Sequence, residues 1–186
     1  MFFLGIKLEI EGNLDESCDL ILINHQSMLD IIVMEHLHSR NIAWVAKKEI
    51  TDLFFFGHII KAPRMISIDR ENKAGLIHLL SEAKDRLSKG RPIAMFPEGT
   101  RSDGTYIGEF KAGAKMLGNK FNLKVQPVVM FNTRNIVNSQ KMEAAPGVVK
   151  VIYLEPIVAS KDTSWYEDCE KNMKEVFEKE YKNYVS

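Results

Sequence analysis

Residues 19–30 read "DLILINHQSMLD", and the first half of that stretch decides the fold. Leu20, Ile21, Leu22 and Ile23 are apolar without alternation, the mark of a strand covered on both faces inside a parallel sheet. Similar runs return as "IAWVA" (42–46), "MISI" (65–68), "PIAMF" (92–96), "VQPVVMF" (125–131) and "VVKVIYL" (148–154). An earlier stretch, "IKLEIEG" (6–12), alternates with period two and ends in a glycine turn. Between the strands, helical patterns cover about 27–38, 50–60, 73–90, 114–121 and 165–184. In the third of these, Leu76, Leu79, Leu80, Ala83 and Leu87 share one face, and Gly90 supplies the stop. Helices alternating with short buried strands predict a three-layer α/β/α domain around a central, mostly parallel mixed sheet, with residues 1–186 as a single domain. Pro127 lacks an N–H, which places its strand at an edge, or the proline at an end or a bulge.

Composition narrows the function classes. Of 186 residues, 45% are apolar and 27% charged, and 25 basic residues balance 25 acidic ones, so no basic surplus points to nucleic acid. Cys18 and Cys169 lie far apart, without the spacing of a disulfide framework or a zinc site, which fits a reducing compartment. No apolar run approaches the ~20 residues that cross a bilayer. The opening "MFFLGI" lacks the basic front and cleavage site of a signal peptide.

The second half of the opening stretch raises the chemical question. His25 and Asp30 are five apart, which on one helix would turn them ~140° away from each other. They meet only if His25 occupies the strand-to-helix turn and Asp30 the first helical turn. "SMLD" (27–30) suits that geometry as a capping box, Ser27 capping and Asp30 reaching back, although glutamate is the usual partner. The same placement gives a histidine held by a carboxylate at a strand end, where the carboxylate fixes the tautomer and supports the imidazolium. The cap shapes the turn that carries the pair.

"FPEGTRS" (96–102) also follows a buried strand, at the edge where open α/β sheets bind ligands. Arg101 offers a planar fork for a phosphate, and Gly99 allows close backbone approach. The Gly-Lys-Ser/Thr ending of a nucleotide loop is absent. A plain surface turn with a Glu98–Arg101 pair is the bland alternative.

Together, "NHQSMLD" and, about seventy residues on, "FPEGTRS" resemble the lysophospholipid (1-acylglycerol-3-phosphate) acyltransferase family. "AKKEI" (46–50) with "ISIDR" (66–70) looks like that family's second motif, and "VQPVVM" like its fourth. The resemblance runs from about Ile6 to Pro156 and implies the roles of particular residues. His25 would be the general base and Asp30 would orient it. Lys47, Arg70 and Arg101 would hold the acceptor's phosphate. Glu98, Gly99 and Thr100 would shape the acceptor pocket, and Lys111 matches a basic position downstream. The implied reaction moves a fatty acyl group from a thioester, on coenzyme A or acyl carrier protein, to the sn-2 hydroxyl of 1-acylglycerol 3-phosphate. It yields phosphatidic acid and needs no metal or other cofactor. Another lysolipid acceptor, such as a lyso-ornithine lipid, is the near alternative. More distant ones are a hydrolase with Ser27 or Ser102 as nucleophile, and a non-catalytic lipid-binding domain.

Family members usually begin with membrane-embedded helices. This chain shows none, so it is expected either to be a stretch of a longer protein or to attach peripherally, at the cytoplasmic face of the inner membrane. Candidate attachments are "MFFL" (1–4) and "LFFFGHIIK" (53–61), the latter within residues 40–73, which carry seven basic and four acidic residues. Three consecutive aromatics, Phe54, Phe55 and Phe56, cannot all face one core.

Overall fold

The computed structural model describes residues 5–47, 65–68, 73–138 and 141–185. The second expected helix, both candidate membrane attachments and Arg70 lie outside these residues, as does the side chain of Lys47.

Fifteen elements follow one another among the described residues. They are β1 (Ile6–Glu11), β2 (Leu20–Ile23), α1 (Leu29–Leu37), β3 (Ala43–Lys47), β4 (Ile66–Ile68), α2 (Lys73–Ser88), β5 (Ile93–Met95), α3 (Ala112–Phe121), β6 (Lys124–Phe131), α4 (Thr133–Ile136), β7 (Val137–Asn138), β8 (Glu143–Ala144), β9 (Gly147–Tyr153), β10 (Ile157–Val158) and α5 (Trp165–Val185). The main sheet runs β1-β9-β6-β2-β5-β3-β4, with β10 on β6, while β7 and β8 form a separate hairpin. Strands β6, β2, β5, β3 and β4 are mutually parallel. Strand β9 runs antiparallel to β6 and carries β1 parallel to itself.

Side-chain alternation splits the core in two. Leu20 and Leu22 face a cluster built with Leu79 and Ala83 of α2, Leu117 of α3, and Trp165, Met173 and Phe177 of α5. Ile21 and Ile23 face the opposite cluster, with Leu29, Val33 and Met34 of α1 and Ile136 of α4. The unbroken apolar run of β2 thus follows from helices on both faces, giving the expected three-layer, mostly parallel mixed sheet. On α5, Trp165, Cys169, Met173 and Phe177 recur every fourth residue and are all buried. The larger of these contribute about 1.5–3 kcal/mol each by leaving water. The helix fits against α3 because residue 118 is glycine: a Cβ there would lie 2.6 Å from the Trp165 ring.

Strand β6 corrects the edge expectation for Pro127. It is central, between β2 and β9. Pro127 sits level with Leu22 in the β2 register, but its nitrogen faces the other side. There β10 pairs at Lys124 and Val125, and β9 pairs only from Val128 onward. The missing N–H falls in the gap between the two partners, while the Pro127 carbonyl accepts from Leu154 N at 3.0 Å. The proline therefore removes no rung from the ladder.

Candidate active site

Because β2 and β5 are parallel neighbours, "NHQSMLD" and "FPEGTRS" leave the sheet at one edge, and the main chain ties them together. His25 N donates to Glu98 Oε1 at 2.7 Å, and Ser102 N donates to His25 O at 2.8 Å. Glu98 Oε2 accepts from Gly108 N at 2.6 Å, so one buried carboxylate spans the returning loop. Burial pushes the Glu98 carboxyl up, against the lowering effect of those two backbone donors. Glu98 braces the motif. The loop turns at Gly99, whose φ of 77° suits glycine and whose N–H donates to Phe96 O.

Asn24 extends β2 by imitation. Its side-chain oxygen accepts from Met130 N at 2.7 Å and its amide donates to Met130 O at 2.9 Å, replacing a main-chain rung with β6. The next residue then leaves the sheet plane. His25 stacks on Phe96, with ring centroids 3.7 Å apart and planes 10° from parallel. Phe96 in turn stacks on Trp44. His25 Nδ1 lies 2.8 Å from Asp30 Oδ2, which also accepts from Gln26 N and Ser27 N at 2.8 Å each. The carboxylate selects the tautomer with the proton on Nδ1, leaving Nε2 as a base. The Asp30 side chain is 0% exposed and that of His25 14%, so the ring can meet a substrate and the group that orients it cannot. Asp30 sits in the first turn of α1, where the helix dipole favours an anion.

The capping-box expectation is half right. Asp30 does reach back to the Ser27 N–H. The helix, however, begins at Leu29, with Met28 at its cap and no side-chain cap bond. Ser27 Oγ instead accepts from Leu29 N at 3.2 Å and donates to Val137 O at 2.6 Å. That commitment points its proton away from His25, which argues against Ser27 as a hydrolase nucleophile. Ser102 is held through its main chain and accepts Gly104 N on its hydroxyl.

The remaining expected residues are placed as follows. Thr100 and Arg101 lie exposed on the loop. Lys111 N donates to Pro97 O at 2.8 Å, and Lys111 O accepts from the Tyr166 hydroxyl at 2.7 Å. Its side chain is exposed beside Glu109, 3.8 Å away. Lys47 closes β3, which runs parallel beside β5, so its backbone reaches the same sheet edge. Reading the sequence missed Phe96 as the histidine's stacking partner and Thr133, whose hydroxyl donates to Asp30 Oδ1. An aromatic next to the proline of "FPEGTRS" was a usable signal for the first; Thr133 had none. Among the described residues no group of acidic, histidine or cysteine side chains could hold a metal ion, and no helix is long and apolar enough to cross a membrane.

A histidine–carboxylate pair and a glycine turn thus meet at the carboxyl edge of a parallel sheet, an arrangement suited to general-base chemistry. The Acyltransferase family model matches residues 6–131, and the chain belongs to that family. It is 42% identical over 182 residues to a 1-acyl-sn-glycerol-3-phosphate acyltransferase of Helicobacter pylori, covering 95% of this chain and 76% of that protein. A lyso-ornithine lipid O-acyltransferase of Brucella abortus is 31% identical over 138 residues, 70% of this chain and 51% of its own length. Among solved structures, the 1-acyl-sn-glycerophosphate acyltransferase PlsC of Thermotoga maritima superposes with a TM-score of 0.76 at 25% identity, covering 98% of this chain and 74% of that one.

Proposed function

We propose that the chain transfers a fatty acyl group from an acyl thioester to the 2-hydroxyl of 1-acylglycerol 3-phosphate, forming phosphatidic acid. The observation that carries the reading is the Nδ1–Oδ2 contact of 2.8 Å between a partly accessible His25 and a fully buried Asp30. His25 Nε2 takes the hydroxyl proton as the acceptor oxygen attacks the thioester carbonyl. The tetrahedral intermediate collapses, the C–S bond breaks, and the leaving thiolate recovers the proton from the imidazolium. The thioester is already activated, so no acyl-enzyme is needed, and the reaction as written uses no cofactor beyond the two substrates.

Arg101, with Lys47 and Arg70, is assigned to the acceptor's phosphate, which orients the hydroxyl toward His25, and Lys111 is a further basic position of the substrate site. Several cations favour a phosphate-bearing acceptor over the zwitterionic lyso-ornithine lipid. The place of action is the cytoplasmic face of the inner membrane, where a lipid acceptor would be met. The test is a transfer assay of wild type and His25→Ala, offering acyl-CoA and acyl carrier protein thioesters against lysophosphatidic acid, lyso-ornithine lipid and other lysophospholipids. Lysophosphatidic acid should be the best acceptor, and His25→Ala should lose ~10²–10⁴ in rate. Preference for lyso-ornithine lipid would overturn the acceptor, and wild-type turnover by His25→Ala would overturn the mechanism.

A further inference from the structure

Asp30 is a fully buried carboxylate whose two oxygens are served very unequally. Three donors crowd Oδ2, namely His25 Nδ1, Gln26 N and Ser27 N. Oδ1 receives the hydroxyl of Thr133, the buried first residue of α4. Rotation of a carboxyl about its Cβ–Cγ bond is soft and two-fold. Donors gathered on one oxygen do not set that angle as firmly as a donor on each. We propose that Thr133 is a positioning residue for acyl transfer, holding Asp30 in the rotation that aims Oδ2 at the His25 ring, with Gln26 holding Thr133 in turn. The proposal rests on the reading of His25 as the base.

The placement of Thr133 is built into the fold. After β6 the chain turns at Asn132, whose φ is 72° and whose Nδ2 donates to Val148 O on β9 at 2.8 Å. Asn24 clips the end of β6 through Met130, and Ser27 clips the end of α4 through Val137 O at 2.6 Å. The segment carrying Thr133 is thus fastened to the "NHQSMLD" turn on both sides. The backbone that carries its hydroxyl to Asp30 is fixed in this way, and a β-branched side chain adds few rotamers.

Gln26 completes the arrangement. Its side-chain carbonyl oxygen lies 3.2 Å from Thr133 Oγ1, and its Nε2 is buried with no partner among the described residues. Thr133 has one proton, and the ionised carboxylate is the stronger acceptor for it. An amide nitrogen beside Thr133 Oγ1 would donate one of its two N–H groups to that oxygen. A carbonyl oxygen without a donor is the more readily tolerated of the two orphans. The Gln26 amide therefore belongs with Nε2 toward Thr133, giving the sequence Gln26, Thr133, Asp30, His25.

The test compares Thr133→Val, Thr133→Ser and Thr133→Cys with wild type and His25→Ala, measuring kcat and both KM values for lysophosphatidic acid and acyl-CoA. Valine keeps the volume and removes the hydroxyl, so kcat should fall roughly 10- to 100-fold with both KM values held. Serine should return kcat to near the wild-type value, and cysteine, a weak donor, should fall between. Full kcat in Thr133→Val, a loss in Thr133→Ser equal to that in Thr133→Val, or a change confined to KM would overturn the proposal. Should Thr133→Val not fold, cysteine carries the test: a kcat below that of serine at unchanged KM supports the role, and equality refutes it. Wild-type turnover by His25→Ala would remove the base itself. An inactive His25→Ala beside a fully active Thr133→Val would remove only the positioning role.

Discussion

Replacing Asp30 by asparagine separates the charge of the dyad from its shape. The amide oxygen has one favourable place, the Oδ2 position, where His25 Nδ1, Gln26 N and Ser27 N already point their protons. The amide nitrogen then faces Thr133 Oγ1, whose hydroxyl can accept as well as donate. The sequence alone suggests that a neutral amide would support the wrong tautomer of histidine. The two backbone donors instead pin the oxygen toward the ring and preserve the correct one. What is lost is the negative charge 2.8 Å from the developing imidazolium. At an effective dielectric of ~20 that attraction is roughly 6 kcal/mol, or about four decades of rate for complete proton transfer. Transfer is partial at the transition state, so kcat should fall by ~10²–10⁴, with both KM values little changed. Steady-state transfer from acyl-CoA to lysophosphatidic acid, beside a thermal melt, measures it. Full activity with only a lowered Tm would refute the reasoning and leave Asp30 as a helix-start residue.

Arg101→Lys should raise the acceptor's KM and lower kcat/KM while sparing the donor's KM, because lysine lacks the two-pronged donor set; equal losses with phosphorylated and unphosphorylated acceptors would make Arg101 structural. Ser27→Ala should lose about 0.5–2 kcal/mol of stability from its bonds to Leu29 N and Val137 O yet keep substantial activity. An acyl-serine trapped on residue 27 and seen by mass spectrometry would contradict direct transfer. On the acid side, the Lys124 ammonium bonded to Asp15, helped by Ser17, holds that carboxyl down from 3.8 to about 2. A depressed carboxyl stabilises the fold above its ordinary range, and that contribution drains away as pH falls through 2. The gap in unfolding stability between wild type and Asp15→Asn should therefore be widest near pH 5 and close toward pH 2; a pH-independent gap would contradict this.

Much of the architecture was legible because burial on two faces leaves a plain mark on composition. The unbroken "LILI" of β2 announces cover on both faces, and the shared face of Leu76, Leu79, Leu80, Ala83 and Leu87 announces a helix packed by one side. His25 and Asp30 were legible because they are local, five residues apart around one turn. Pro127 was misread because its meaning depends on where two other strands, β9 and β10, begin and end. Thr133 was illegible for the same reason. It lies 103 residues from Asp30 in a four-residue helix, too short to carry a periodic pattern. The first helix starts at Leu29, after a turn in which Ser27 Oγ bonds both Leu29 N and the distant Val137 O, a contact local propensity does not contain.

The paired bonds His25 N to Glu98 and Ser102 N to His25 O have a consequence for motion. Opening the "FPEGTRS" loop strips the histidine of both main-chain anchors, and Gly108 N loses the same carboxylate in the same event. The amide protons of His25, Ser102 and Gly108 should therefore exchange with deuterium at a common rate, as members of one cooperative opening. The His25 Nδ1 contact with Asp30 lies wholly within residues 25–30 and is not among the bonds such an opening would break.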